Sequence, residues 1–469
     1  METKNVWEKY TLAECKKVDN FAKEYMEFLD KGKTERECVD TVVNMIEAEG
    51  FIELSKAIKA KKKLKAGDKV YAVNMNKNVC MFIIGKKPIT EGMNILGAHI
   101  DSPRLDVKQN PLYEDSEIAY LDTHYYGGIK KYQWVTIPLS IHGVIIKKDG
   151  STVEVNIGDD PDDPVFFISD LLIHLAAEQL DKKGTKVVEG EALDIIIGNK
   201  PLVVKGKAEE EKADKNKVKS NIVKILKDIY DVEEEDFLSA ELEVVPAGKA
   251  KEAGFDKSMI LAYGQDDRVC AFPSLKAMLE VKSVDRTACC LLVDKEEIGS
   301  VGATGMQSKF FENTLAEVME LMGVYSSINL RRALSSSCML SSDVSAAFDP
   351  TYASSFEKKN IAYLGHGMVF NKFTGARGKS GSNDANAEYI AHIRDIYAKD
   401  NVSFQTCELG KVDVGGGGTI AYILALYGMN VIDAGVAVLN MHAPWEATSK
   451  ADIYETKKGY VSFLKHAGM

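Results

Sequence analysis

Two adjacent carboxylates, Glu296 and Glu297, follow the apolar run 288–293 in the segment Asp294-Lys295-Glu296-Glu297-Ile298-Gly299-Ser300. Neighbouring side chains on extended backbone point to opposite sides. One glutamate can therefore ligate a cation while the other handles protons. Unpaired charge resists burial, so a strand that ends in two carboxylates needs something positive to receive them, and a metal cluster is the obvious receiver.

The pattern recurs along the chain. The run 94–98 delivers His99 and Asp101, and the run 338–342 delivers Asp343. The run 436–441 delivers His442, followed by Ala443-Pro444-Trp445-Glu446, and the run 260–264 leads into Gln265-Asp266-Asp267-Arg268, where a helix starts. Two histidines with three or four carboxylates suit a pair of divalent ions of zinc, cobalt or manganese character. All-oxygen sites favour magnesium or calcium, and thiolate-rich sites favour structural zinc. Each segment alone has a plainer reading, a structural histidine or an aspartate that caps a turn. Five in one strand context argue for a shared centre.

Strands must bring these residues together. The run 288–293 has the length and apolarity of a strand covered on both faces. In open α/β sheets, sites form outside the carboxyl ends of the strands. The expected fold class is α/β, with a mixed sheet, and all five runs converging at one edge of it.

Elsewhere the grammar differs. Thr11-Leu12-Ala13-Glu14 and Thr34-Glu35-Arg36-Glu37 read as capping boxes, ahead of helices running to about Lys31 and Gly50. Residues 121–156 alternate as β-strands do, and 166–180 read as an amphipathic helix carrying His174. Residues 205–219 are charge-dense and read as a solvated loop or flap. Ligand-bearing runs are missing between Asp101 and Tyr263, so 104–248 reads as a β-rich domain inserted between two parts of a catalytic domain, 1–103 and 249–469. Gly415-Gly416-Gly417-Gly418-Thr419 lacks the Gly-Lys-Ser/Thr ending of a phosphate loop and reads as a tight turn.

Length and charge bound the rest. At 469 residues two domains are expected. The net charge of −11 argues against non-specific nucleic-acid binding. No run approaches the roughly 18 apolar residues that span a bilayer, and the first ten residues lack a signal-peptide core. A cytoplasmic location is the expectation. None of the eight cysteines has C-x-x-C spacing, so they read as buried, reduced thiols.

With these residues in hand, the chain resembles the aspartyl aminopeptidase family of dinuclear zinc aminopeptidases over essentially its full length. The resemblance lies in Ala98-His99-Ile100-Asp101-Ser102-Pro103-Arg104, the Asp266 turn, Asp294 to Ser300, Ser342-Asp343 and Met441-His442. It implies two divalent metals per chain. His99, with Glu297 or Asp343, and His442 would hold separate ions, and Asp266 would bridge them. It makes Glu296 the general base and Asp101 the residue that orients His99. It also implies that the insertion dimerises, that His174 reaches the partner subunit's active site, and that dimers assemble into dodecamers. Acidic-residue-specific members have Asp-Asn where this chain has Asp266-Asp267. Lys372, Arg377 and Lys379 are the candidates to read an acidic substrate side chain.

The chemistry implied is hydrolysis of a peptide bond at a free amino terminus, with Glu296 taking a proton from water and returning it to the leaving amine. A dinuclear amidohydrolase or carboxypeptidase uses the same metal pair and differs in whether its pocket binds an ammonium or a carboxylate. A non-catalytic scaffold has no need of Glu296.

Overall fold

A computed structural model describes residues 4–203 and 215–468. The chain divides into two compact units: 1–102, 250–441 and 445–469 form the first, and 103–249 with 442–444 form the second.

The first unit is built on a mixed sheet. Among the described residues its strands run, in spatial order, Ile52–Glu53, Lys69–Asn74, Asn78–Ile83, Thr287–Val293, Met93–His99, Cys338–Ser341, Asn430–Gly435, Met368–Asn371 and Phe404–Cys407. Thr287–Val293, Met93–His99, Cys338–Ser341 and Asn430–Gly435 are parallel. Every side chain of Thr287–Val293 is buried, because helices cover both faces. Cys290 and Leu292 enter one apolar cluster, with Tyr25, Phe272 and Phe463. Cys289, Leu291 and Val293 enter the other, with Phe311, Leu315 and Leu334. Alternation along one strand thus feeds two cores.

Both N-terminal capping boxes form. Thr11 caps helix Leu12–Lys31 with Glu14, and Thr34 caps helix Glu35–Ala48 with Glu37. All eight cysteines are free thiols and seven are buried. Among the described residues no helix is long and apolar enough to cross a membrane.

Two ligand-bearing runs do not join this sheet. Met259–Ala262, which leads to Asp266, and Ala437–Leu439, which leads to His442, belong to a separate five-stranded sheet with Lys251–Ala253, Glu446–Ser449 and Ser345–Ala346. Convergence therefore draws on two sheets. The apolar runs were legible as strands, but apolarity does not say which neighbour a strand will pair with.

The second unit carries an antiparallel sheet ordered Thr152–Ile157, Leu139–Ile146, Ala240–Pro246, Arg104–Asp115, Ile118–Tyr126 and Ile195–Gly198. The helix expected over 166–180 is absent as a continuous element. Phe166 and Phe167 make β-bridges to Leu139 and Ile196, and only the short turns Ile173–Leu175 and Ala177–Leu180 are helical. Leu171, Leu172, Ile173 and Leu175 are all exposed, so no buried stripe exists to stabilise a helix there. The loop expected over 205–219 lies outside the described residues up to 214, and helix Lys217–Tyr230 takes over from there.

Candidate metal centre

Three parallel strands end at one level. Val293 pairs with His99, Ser341 pairs with Gly97, and the Ser342 N–H donates to the Gly97 carbonyl at 2.6 Å. Their carboxyl ends present His99, the Glu296–Glu297 turn and Asp343. Lys295 adopts a left-handed φ of 69° and Gly299 one of 96°, bending the chain into the 3-10 turn Glu296–Ile298. A non-glycine residue in that region is held there by its surroundings.

Asp266 arrives on a second turn. Helix Gln265–Glu280 is regular only from Arg268 onward, since Asp266 and Asp267 have non-helical angles and a cis peptide between them. The Asp266 N–H donates to Glu446 Oε2 at 3.0 Å, and the Ser102 hydroxyl donates to the Asp266 carbonyl at 2.7 Å. Gln265 Nε2 donates to the Glu446 carbonyl at 2.6 Å. Sequence reasoning did not assign Glu446 or Ser102. The one available signal was a carboxylate at the head of the otherwise uncharged strand Glu446–Ser449.

The side chains meet closely. His99 Nε2 lies 3.1 Å from Asp266 Oδ1 and 3.9 Å from Glu296 Oε2. On the other edge of the ring, Nδ1 lies 3.0 Å from the Asp101 carbonyl and 3.3 Å from Asp101 Oδ1. Assigning the ring proton to Nδ1 leaves Nε2 facing the carboxylates as a ligand atom. Asp101 also accepts the backbone N–H groups of Glu296 and Glu297, each at 3.1 Å.

Ligand atoms of His99, Asp267 and Asp343 lie within 4.8 Å of one another, as do those of His99, Glu296 and Glu297. His442 has a left-handed φ of 65°, and its Nδ1 is 2.9 Å from the Gly128 carbonyl. His174 is exposed on the turn Ile173–Leu175 of the second unit and belongs to none of these sets.

The electrostatics ask for a cation. Burial raises the Asp267 carboxyl well above the usual range, and Asp266 adds to it. Burial, then Glu296 and Asp267, do the same to Asp343. Burial opposes charge on His99, but Asp101 and Asp266 overcome it and raise its pKa. Asp267 is fully buried, and the Cys270 thiol and the His99 amide are the neutral groups that favour its ionised form. Buried carboxylates crowded on an imidazole fit a divalent ion with mixed nitrogen and oxygen ligands, and zinc suits that donor set.

Of the cations expected to read an acidic side chain, Lys372 and Lys379 both pair with Asp384, the latter at 3.0 Å. Their two hydrogen bonds lower the Asp384 carboxyl. Arg377 has no such partner among the described residues and lines a cavity of about 370 Å³ with Thr374, Lys411 and Gly416.

Comparison with known proteins agrees with the geometry. Residues 28–464 match the model of the aminopeptidase I zinc metalloprotease (M18) family. A probable M18 family aminopeptidase 1 of Clostridium acetobutylicum is 61% identical over 99% of this chain and 98% of its own length. The crystal structure of an M18 aminopeptidase from Thermotoga maritima superposes with a TM-score of 0.93 at 44% identity, covering 99% of this chain and 100% of that one. The mApe1 dodecamer of S. cerevisiae shares the fold, with a TM-score of 0.75 at 21% identity over 95% of this chain and 96% of that one.

Proposed function

This chain belongs to the M18 family of zinc aminopeptidases, and on that premise we propose that it removes N-terminal residues from peptides at a two-zinc centre with Glu296 as general base. The observation that carries the proposal is the meeting of His99, Glu296 and Asp343, which follow parallel strands, with Asp266, which arrives from the second sheet. His99 and Asp343 would hold one ion, and Glu297 and His442 the other. Asp266, whose Oδ1 lies 3.1 Å from His99 Nε2, would be the shared ligand. Asp267 stands only with His99 and Asp343.

Bound there, zinc would polarise the scissile carbonyl and ease deprotonation of a water. Glu296 faces that position without being needed as a ligand, so its carboxylate is placed to take the proton and return it to the leaving amine. Asp101 fixes the His99 ring from behind and braces the Glu296–Glu297 turn through two backbone N–H groups.

Acidic N-terminal residues are the proposed preference. With Lys372 and Lys379 committed to Asp384, Arg377 is the candidate to read them. The proposed assembly is a homodimer through the second unit, built up into a dodecamer like that of the yeast protein. The exposed apolar residues flanking His174 support it. A cytoplasmic site of action is part of the same reading.

A panel of aminoacyl-chromophore substrates, run with zinc, cobalt or manganese, tests the function. Release from unblocked substrates, fastest for aspartyl and glutamyl, is expected. Activity confined to N-acylated or carboxy-terminal substrates would overturn it.

A further inference from the structure

We propose that Arg268 is a positioning residue of the metal centre, holding the two ligand-bearing turns at a fixed spacing. The inference rests on the zinc reading above.

Arg268 is 1% exposed, among the most thoroughly buried charges in the chain. Its Nη2 donates to the Ile100 carbonyl at 3.0 Å and to the Lys33 carbonyl at 2.8 Å, and its Nε donates to Cys38 Sγ at 3.3 Å. The guanidinium carbon lies 5.6 Å from the centre of the Tyr263 ring. Ile100 is the residue between His99 and Asp101, and Arg268 itself follows Asp266 and Asp267. One side chain therefore joins the backbone of the first ligand turn to the backbone of the second. The first turn of helix Glu35–Ala48 is the fixed wall against which both are set.

Gly264 shows how closely the fit is drawn. It opens the Asp266 turn at a φ of 68°, and a Cβ there would lie 1.8 Å from Arg268 Nη1 and 3.1 Å from Ser102 Oγ. The guanidinium occupies the room that the missing side chain leaves. Burying a guanidinium is costly, and a hydrocarbon of similar size would fill the same volume more cheaply. What a hydrocarbon lacks is the planar fork whose Nη2 donates to two separated carbonyls while its Nε donates to Cys38 Sγ in a fixed direction, and lysine lacks that fork too. Arg268 is hydrogen-bonded to backbone and to Cys38, not to a proposed ligand, so its influence on the ions passes through Ile100 and the turn it belongs to.

The test uses the full-length protein with Arg268→Lys, which keeps the charge, and Arg268→Met, which keeps the bulk. Zinc affinity is measured by competition with a chelator, ligand geometry by the absorption spectrum of the cobalt-loaded protein, and kcat and KM on a substrate that the wild type cleaves. Zinc affinity is expected to weaken about 10–100-fold, the range found when groups supporting metal ligands are changed. The cobalt spectrum should shift, and kcat should fall with little change in KM. If Arg268→Met does not fold, Arg268→Lys decides alone. A folded Arg268→Lys with wild-type zinc affinity, cobalt spectrum and kcat overturns the inference, even if its Tm is lower, because Arg268 would then serve stability only. A wild-type chain that binds no zinc overturns the metal reading itself, which separates the two failures.

Discussion

The Asp101 carboxylate spans the centre from behind, its Oδ1 accepting the backbone N–H of Glu296 at 3.1 Å while the same residue holds the His99 ring. Residues 195 apart in sequence are thereby fixed to one another. Asp101→Asn would turn an amide N–H toward a backbone N–H, or leave one of the two turn donors without its acceptor. Metal affinity and kcat should each drop about 10–100-fold. Zinc competition titration with steady-state kinetics on the same preparation checks this. A variant with unchanged zinc affinity would remove Asp101 from its supporting role.

Glu296 offers the cleanest separation of proton transfer from metal binding. Glu296→Gln keeps the shape and hydrogen-bonding reach but cannot take a proton. Turnover should fall by at least about 10²-fold, while zinc content by elemental analysis stays at the wild-type value. Loss of zinc in this variant would make Glu296 a ligand instead.

On the strand beside Ser341, Asp433 gives a pH-dependent stability prediction. Burial pushes its carboxyl up to about 6, against the Thr419 hydroxyl, which donates to it at 2.6 Å, and the nearby Ser341 hydroxyl, both of which favour the ionised form. A carboxyl whose folded pKa is raised holds its proton more tightly folded than unfolded, so it lowers stability as pH rises from about 4 to about 6, and the loss is complete above that. A rise of that size corresponds to about 3 kcal/mol. Asp433→Asn should remove this slope and be the more stable protein at pH 7, with the difference vanishing near pH 3.5. Urea unfolding of both proteins across that range reads it directly. Parallel stability curves would refute it.

Much of the centre was legible because strand ends are written locally. The run 288–293 ahead of the Glu296 turn is apolar at every position, and both N-terminal helices announce themselves within four residues through Thr11–Glu14 and Thr34–Glu37. What could not be read depends on partners far away in sequence. Glu446 meets the Asp266 amide across 180 positions, and Ser102 meets the Asp266 carbonyl across 164. Neither contact leaves a mark in the residues around it. The segment 166–180 misled for a different reason. Its apolar residues recur at helical spacing, but Leu171, Leu172 and Leu175 face outward, and spacing is a sign of helix only when one stripe is buried. Their exposure fits a surface that another chain covers.

That exposure bears on His174, which sits exposed among those residues on Ile173–Leu175. If it completes the partner subunit's active site, its imidazole can donate to the substrate carbonyl as negative charge develops there, and losing one such donor costs about 2.7–4 kcal/mol of transition-state stabilisation. His174→Ala should then lower kcat about 10²–10³-fold while zinc content and oligomeric state stay unchanged. Mixing is the stronger test. A Glu296→Gln chain and a His174→Ala chain, each nearly inactive alone, should regain activity when combined, because one site of each hybrid dimer holds both wild-type groups. Hybrids are verified by differently tagged chains before assay. Hybrids no more active than their parents, or a monomer with full activity at high dilution, would show that each chain works alone.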